Sequence, residues 1–300
     1  MTDDLVEAIV QSGALRIAPA GEVFFYTSGT IGPYYINTHY LMGGPGPAEE
    51  FLTFIDRHKD EIESFPNELL ARIETMYADH AGYRAVIDAL VARATAVTEA
   101  RGPAEMASVG KVDGVSGGER RDWFFSPAVA QRLGVPHLYI YKDLRTVLHE
   151  GEGRGGRERA DDLHGRRFLH VADLVTEASS YVRGWVPALR ERGAEMAYAL
   201  NVVDRAQTGM EALAGMGVAA GSLLRVDEGL FTALFDGGVI DEGQRQALTL
   251  YFRDPESAMR TFLTTHPEFL ARALAADDSR VADRARLLVD KDPYGLKLSR

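Results

Sequence analysis

Residues Arg167–Ala194 read RFLHVADLVTEASSYVRGWVPALRERGA. The run Phe168-Leu169-His170-Val171-Ala172 is short and apolar and predicts a buried strand. A lone carboxylate, Asp173, follows it. Thr176-Glu177-Ala178-Ser179-Ser180 then forms a small polar turn, and Val182, Trp185, Val186 and Leu189 recur at helical spacing. Gly193 is a stop signal, and Glu195 to Val203 reads as the next strand. Strand, turn, helix and strand make a βαβ unit of a parallel sheet. Ligands of such sheets sit beyond the carboxyl ends of the strands, where helix N-termini offer free N–H groups to anions. Asp173 to Ser180 is therefore the first candidate for chemistry.

Composition narrows the partners. A chain of 300 residues suits one large domain, or one domain with an extension. The absence of cysteine rules out disulfides and thiolate metal sites. A net charge of −11 argues against a nucleic-acid partner, which would call for a basic face; one local basic cluster lies at Arg154 to Arg167. No apolar run approaches the length of a membrane span. The start MTDDLVEAIV is acidic and fits no export signal, so a cytoplasmic location is expected.

Upstream of the central unit, residues 3 to 12 carry Leu5, Val6, Ile9 and Val10 on one helical side, closed by Gly13. Gly13 to Gly44 alternates short aromatic and β-branched runs with Gly29, Gly32 and Pro33, the pattern of strands joined by tight turns. Residues 46 to 100 hold three apolar helical stripes, led by Phe51, Leu69 and Val86. Val109 to Tyr141 predicts a second βα unit: a strand to Val115, a turn Ser116-Gly117-Gly118, a helix to about Leu133 and a strand His137–Tyr141. Lys142 to Gly165 is polar and Gly-rich and predicts a long mobile loop. Downstream, Asn201-Val202-Val203-Asp204-Arg205 ends a strand, and Gly209 to Leu224 returns through glycines to a last strand. From Val226 the pattern turns helical, with Asp254-Pro255-Glu256 as one clear helix start.

The central stretch resembles the phosphoribosyl pyrophosphate (PRPP) motif of the type I phosphoribosyltransferases: an apolar strand, two acids, two apolar residues and a loop rich in Thr, Gly and Ser. Here Ala172 stands at the first acid and Asp173 at the second. Thr176, Ser179 and Ser180 are kept, while Glu177 and Ala178 replace small residues or glycine. Gly13 to Gly44 resembles the N-terminal hood of the orotate phosphoribosyltransferases through Phe25, Ser28, Gly29, Pro33, Tyr34, Tyr35 and Asn37, with Thr27 and Gly32 departing from it. Arg121 overlays that family's PRPP-contacting lysine, beside Arg120. Lys142 matches a lid lysine, Arg145 stands at the second, and His149 comes two residues late. Asp204-Arg205 resembles the pair that ends the next strand.

The resemblance covers roughly residues 13 to 225, less the helical block at 46 to 100. It implies an α/β fold of the type I phosphoribosyltransferase class: a mainly parallel sheet flanked by helices, a small hood and a C-terminal helical extension at 226–300. It implies a pentosyl-group glycosyltransferase of pyrimidine biosynthesis that joins orotate to PRPP, giving orotidine monophosphate and pyrophosphate. Arg120, Arg121, Asp173 and Thr176 to Ser180 would hold PRPP. Lys142, Arg145, His149 and Asp173 would be catalytic. Phe25, Ser28, Tyr34, Tyr35, Asn37 and Arg205 would face the base, although a simple capping pair at Asp204-Arg205 is an equal reading. The resemblance further implies Mg2+ carried on PRPP and a homodimer. Two alternatives stay open: a phosphoribosyltransferase for a different base or acceptor, because Thr27, Gly32 and Thr38 alter the hood, and a non-catalytic homologue that binds a nucleotide or regulates a partner, because one acid is lost and Glu177 sits in the phosphate loop.

Overall fold

The computed structural model describes residues 3–99, 109–151, 153–158 and 163–298. These fall into two compact units, one of residues 1–14 and 37–225 and the other of residues 15–36 and 226–300.

The first unit is built on a seven-stranded sheet of β5 (Gly114–Gly118), β6 (His137–Ile140), β7 (Thr146–His149), β8 (Arg157–Glu158), β9 (Arg167–Val175), β10 (Glu195–Asp204) and β11 (Ala219–Arg225). Its order is β11-β10-β9-β5-β6-β7-β8. The first five of these are parallel, β7 pairs antiparallel with β6, and β8 pairs antiparallel with β7. Counted along the chain, the parallel strands have the doubly wound order 2-1-3-4-5, which reverses between β5 and β9. In sheets of this kind the crevice for ligands lies beyond the carboxyl ends of the two strands at the reversal, here after Gly118 and after Val175.

The apolar stripes of the sequence become helices that flank the sheet. Before it come α1 (Asp3–Gln11), α2 (Pro45–His58), α3 (Phe65–Asp79) and α4 (Ala81–Thr98). Val86, Ile87, Leu90, Ala94 and Val97 are all buried, the stripe expected of α4. Between strands come α5 (Ser126–Leu133), α6 (Val186–Glu191) and α7 (Gly209–Gly215). Val186, Ala188 and Leu189 of α6 pack with Phe168 and Ala172 of β9 and Met196 of β10 in one buried cluster.

Two segments depart from expectation. Ser116, Gly117 and Gly118 are the end of β5, and the turn is Glu119 to Arg121. Gly117 and Gly118 are in the strand because neighbours come too close for a side chain. A Cβ on Gly117 would lie 2.1 Å from Ser126 Oγ, and one on Gly118 2.2 Å from the Trp185 ring. The predicted mobile loop after Lys142 is in good part sheet: β6 turns back through residues 141–145 into β7, pairing His137 with His149 and Ile140 with Thr146.

The second unit joins parts of the chain far apart in sequence. It holds β1 (Leu15–Ile17), β2 (Phe24–Phe25), β3 (Ile31–Gly32) and β4 (Tyr34–Ile36), with α8 (Glu228–Asp236), α9 (Glu242–Arg253), α10 (Pro255–Thr265), α11 (Pro267–Leu274) and α12 (Ser279–Lys291). The hood strands thus cluster with the C-terminal helices, whereas the sequence places them with the sheet. The reason is contact chemistry. Phe25 stacks on Phe269 at 5.3 Å, Tyr294 Oη accepts the Ile31 N–H at 3.0 Å, and Gln244 donates to the Ala18 carbonyl at 2.9 Å. Helix starts are capped by Asp227, Asp241, Asp254 and Asp278. None of the described helices is long and apolar enough to cross a membrane.

Candidate functional site

Asp173 lies near the carboxyl end of β9, and three other elements of the same unit meet it there. Thr38, on a 3-10 turn (Thr38–Met42), donates its hydroxyl to Asp173 Oδ2 at 2.8 Å. Asp122, which opens the turn after β5, accepts the Asp173 N–H on Oδ1 at 3.1 Å and the Gly118 N–H on Oδ2 at 2.7 Å. One carboxyl group thus ties the ends of the two strands that border the crevice. Asp122 is 2% exposed, and its carboxyl lies close enough to that of Asp173 to repel it. Burial pushes Asp122 up to about 7. Burial, and then repulsion from Asp122, pushes Asp173 up to about 7. Two neighbouring acids that repel each other lose their protons as a coupled pair rather than independently.

The pair rests on a buried polar layer. His170 Nε2 lies 3.6 Å from Asp122 Oδ2, and its Nδ1 is 3.0 Å from Ser116 Oγ. Ser116 and His170 are fully buried. Burial pulls His170 down to about 3, so it stays neutral and brings no charge to the pair. Its ring lies 4.6 Å from Trp185 and 5.1 Å from Tyr181, whose hydroxyl donates to Asn201 at 2.7 Å. The array Ser116–His170–Asp122 has the composition of a nucleophilic triad, but a fully buried serine offers nothing for a substrate to reach.

Beyond β9 the loop opens outward. Thr176 is half-buried, Glu177, Ser179 and Ser180 are exposed, and Ala178 adopts the left-handed φ of 55°. The helix starts at Ser179 and passes through a π-helical turn, Tyr181–Trp185, before α6. Exposed hydroxyls and free N–H groups at a helix start are a cradle for an anion.

Cations surround the crevice, but most are engaged. Arg120 pairs with Asp56 of α2, and Arg145 pairs with Asp60 just beyond it while its guanidinium stacks 3.9 Å over Tyr141. Lys59 donates to Glu119 at 2.5 Å, and Glu119 also accepts the Lys142 N–H at 3.0 Å. Arg121 is exposed and makes no ion pair among the described residues. Its charge acts on Asp122, Asp173 and His39, and His39 is pushed down to about 4 by burial, then by Arg121 and Arg120.

No family model matches the chain. Orotate phosphoribosyltransferase of Cereibacter sphaeroides is 37% identical over 86 residues, 29% of this chain and 34% of that protein. The enzyme of that name from Sulfolobus acidocaldarius is 25% identical over 128 residues, covering 42% of this chain and 60% of that one. The match thus spans about a third of the length of the Cereibacter relative. Among solved structures, Leishmania donovani UMP synthase superposes with a TM-score of 0.53 at 18% identity, covering 83% of this chain and 41% of that one. Francisella tularensis orotate phosphoribosyltransferase superposes with a TM-score of 0.50 at 14% identity, covering 83% and 96%.

The fold is that of the type I phosphoribosyltransferases. The chain is a relative of the orotate phosphoribosyltransferases. On this phosphoribosyltransferase scaffold Asp173, Thr176 to Ser180, Arg120 and Arg121 all border the carboxyl ends of β5 and β9. Ala172 is fully buried, so a carboxylate at the first acid position would meet the apolar cluster under α6 rather than the crevice. Lys142 is exposed and Arg145 is half-buried. His149 is corrected: it is 2% exposed on β7, 3.3 Å from Asn67 Oδ1, and burial lowers its pKa, so it is not a cation of a mobile lid. Of the base-facing candidates, Asn37 and Arg205 lie in the sheet unit, where the Arg205 N–H donates to the Val175 carbonyl at 3.0 Å. Asp204 lies 3.9 Å from Arg225. Phe25, Ser28, Tyr34 and Tyr35 lie in the second unit. Phe25 and Tyr34 are packed there against Phe269 and Tyr251, whereas Ser28 is exposed. Sequence reading missed Asp122 and His170, and took Thr38 only as an altered hood position, not as a partner of Asp173. A lone acid before the aromatic run Trp123-Phe124-Phe125 was the available signal, since an acid beside such a run must find a buried partner.

Among the described residues no cluster of three or more His, Asp or Glu side chains could hold a metal.

Proposed function

We propose that this chain is an orotate-type phosphoribosyltransferase, transferring the phosphoribosyl group of PRPP to orotate with release of pyrophosphate. One observation carries the reading: on a type I fold, a carboxyl group and an exposed hydroxyl loop that opens a helix stand together at the carboxyl end of β9. The loop Thr176–Ser180 would take the 5-phosphate, Asp173 a ribose hydroxyl, and Arg121 the diphosphate through charge-assisted hydrogen bonds. The residues would position the ribose and stabilise charge as the bond to pyrophosphate breaks, with no covalent enzyme intermediate. Magnesium, when bound with PRPP, would neutralise the leaving diphosphate. The names of the sequence relatives support orotate as the acceptor. The test is loss of orotate absorbance with PRPP and magnesium; a rate equal to a no-enzyme blank refutes the reading.

A second reading has its own observations. Glu177 is exposed within the phosphate loop, and Arg120 and Arg145 already have carboxylate partners. Both favour a homologue that binds a nucleotide or a regulatory ligand without turnover. PRPP or nucleotide binding without pyrophosphate release would select it.

A further inference from the structure

We infer that Asp122 is a positioning residue that governs the charge of Asp173, so that a ribose ligand binds only as a proton leaves the two carboxyls. This rests on the reading of Asp173 as the residue that takes a ribose hydroxyl.

Geometry carries the inference. Asp122 spends one oxygen on the Asp173 N–H and the other on the Gly118 N–H, which fixes its plane. The Thr38 hydroxyl donates to Asp173 Oδ2, and the Asp173 N–H donates to Asp122 Oδ1, so the two carboxyls are neighbours. Two carboxyls so placed cannot both ionise without strong repulsion. The other groups facing the pair do little to relieve it. His170 is neutral, the Tyr181 hydroxyl is held protonated by burial, and His39 is neutral and itself sits under the field of Arg121 and Arg120. Arg121 alone brings a positive charge, from an exposed position. A ribose hydroxyl donating to Asp173 needs an acceptor, and a proton held by the pair competes with it. Ligand binding should therefore expel about one proton near neutral pH. Asp122 itself is too buried to touch a ligand, so its action passes through Asp173.

The experiment is calorimetry of PRPP with magnesium in buffers of different ionisation enthalpy, at pH 5.5 and 7, on the full chain and on Asp122→Asn. Protons released by PRPP itself cancel between the two proteins. Wild-type affinity is expected to fall roughly ten-fold or more further than that of the variant between those pH values, following one linked proton. Equal pH dependence and equal proton release in both proteins overturn the inference. Thr38→Val serves as a second variant should Asp122→Asn not fold: removing the donor to Asp173 is expected to move the affinity loss to higher pH, and an unmoved profile counts against the inference. If neither protein binds PRPP, the proposed function fails, and carboxyl carbon NMR of the apo protein decides the inference alone. An Asp173 that titrates at clearly lower pH in Asp122→Asn than in the wild type upholds it. An Asp173 that titrates alike in both proteins overturns it.

Discussion

Replacing Asp122 with Asn should make the stability gap to the wild type narrow from acid to alkaline pH. Asn keeps the shape but accepts on one atom only, so either the Gly118 or the Asp173 N–H loses its acceptor. An unsatisfied buried N–H costs about 1–3 kcal/mol, and at pH 5 the variant should be less stable by that amount. The wild type, however, carries a carboxyl whose pKa is raised to about 7 in the fold against 3.8 unfolded. The stabilisation from such a group is fully present below the unfolded value and is lost as pH rises through the folded one. For one proton of the pair the loss between pH 5 and 8 is about 2.5–3 kcal/mol. The variant keeps only the part of this loss that burial imposes on Asp173, so its deficit should narrow as pH rises toward 8. Contributions from the buried histidines are common to both proteins and cancel. Urea unfolding followed by tryptophan fluorescence is the assay, because both tryptophans, Trp123 and Trp185, lie in the sheet unit beside the pair. A stability difference that stays constant from pH 5 to pH 8 would refute the coupled pair.

Other outcomes follow from the same geometry. Gly118→Ala drives a methyl into the Trp185 ring and should cost about 1–3 kcal/mol, with a shift in tryptophan emission; unchanged unfolding would show that the ring is free to move. Glu177→Gly should tighten PRPP binding by about five- to thirty-fold, since an exposed charge about 4.5 Å from a dianion in water-like surroundings repels it by roughly 1–2 kcal/mol; equal affinity by calorimetry would place Glu177 away from the phosphate. Asp56→Asn with Asp60→Asn should free Arg120 and Arg145 and raise the affinity for inorganic pyrophosphate several-fold, with a steeper salt dependence; affinity equal to wild type at low salt would show that those cations do not meet the anion. His149→Gln should lower the unfolding midpoint yet leave PRPP affinity unchanged; a loss of affinity at unchanged stability would return His149 to the site.

The parts of the fold legible in the sequence are those set by local pattern. Phe168 to Ala172 reads as a buried strand because both faces of a parallel strand are covered, and Thr176 to Ser180 reads as a turn because small polar residues precede a helical stripe. Partnerships between distant segments were not legible. Nothing in Phe25 announces that it stacks on Phe269, so the hood strands could not be assigned to the C-terminal helices. His149 looked like a loop histidine because its neighbours are polar and glycine-rich, whereas pairing with His137 buries it. Ala172 looked like the loss of a carboxylate, while a second carboxyl beside Asp173 comes from Asp122 on a different element. Only tertiary structure brings those two acids together.

The central claim is that Asp173 and the loop Thr176–Ser180 hold a phosphoribosyl ligand. A calorimetric titration of PRPP with magnesium, on wild type and on a Ser179→Ala, Ser180→Ala variant, tests it most directly. Two lost hydroxyl hydrogen bonds at about 0.5–1.5 kcal/mol each predict roughly ten-fold weaker binding in the variant. Binding that is equal in the two proteins, or absent from the wild type at millimolar PRPP, would contradict it.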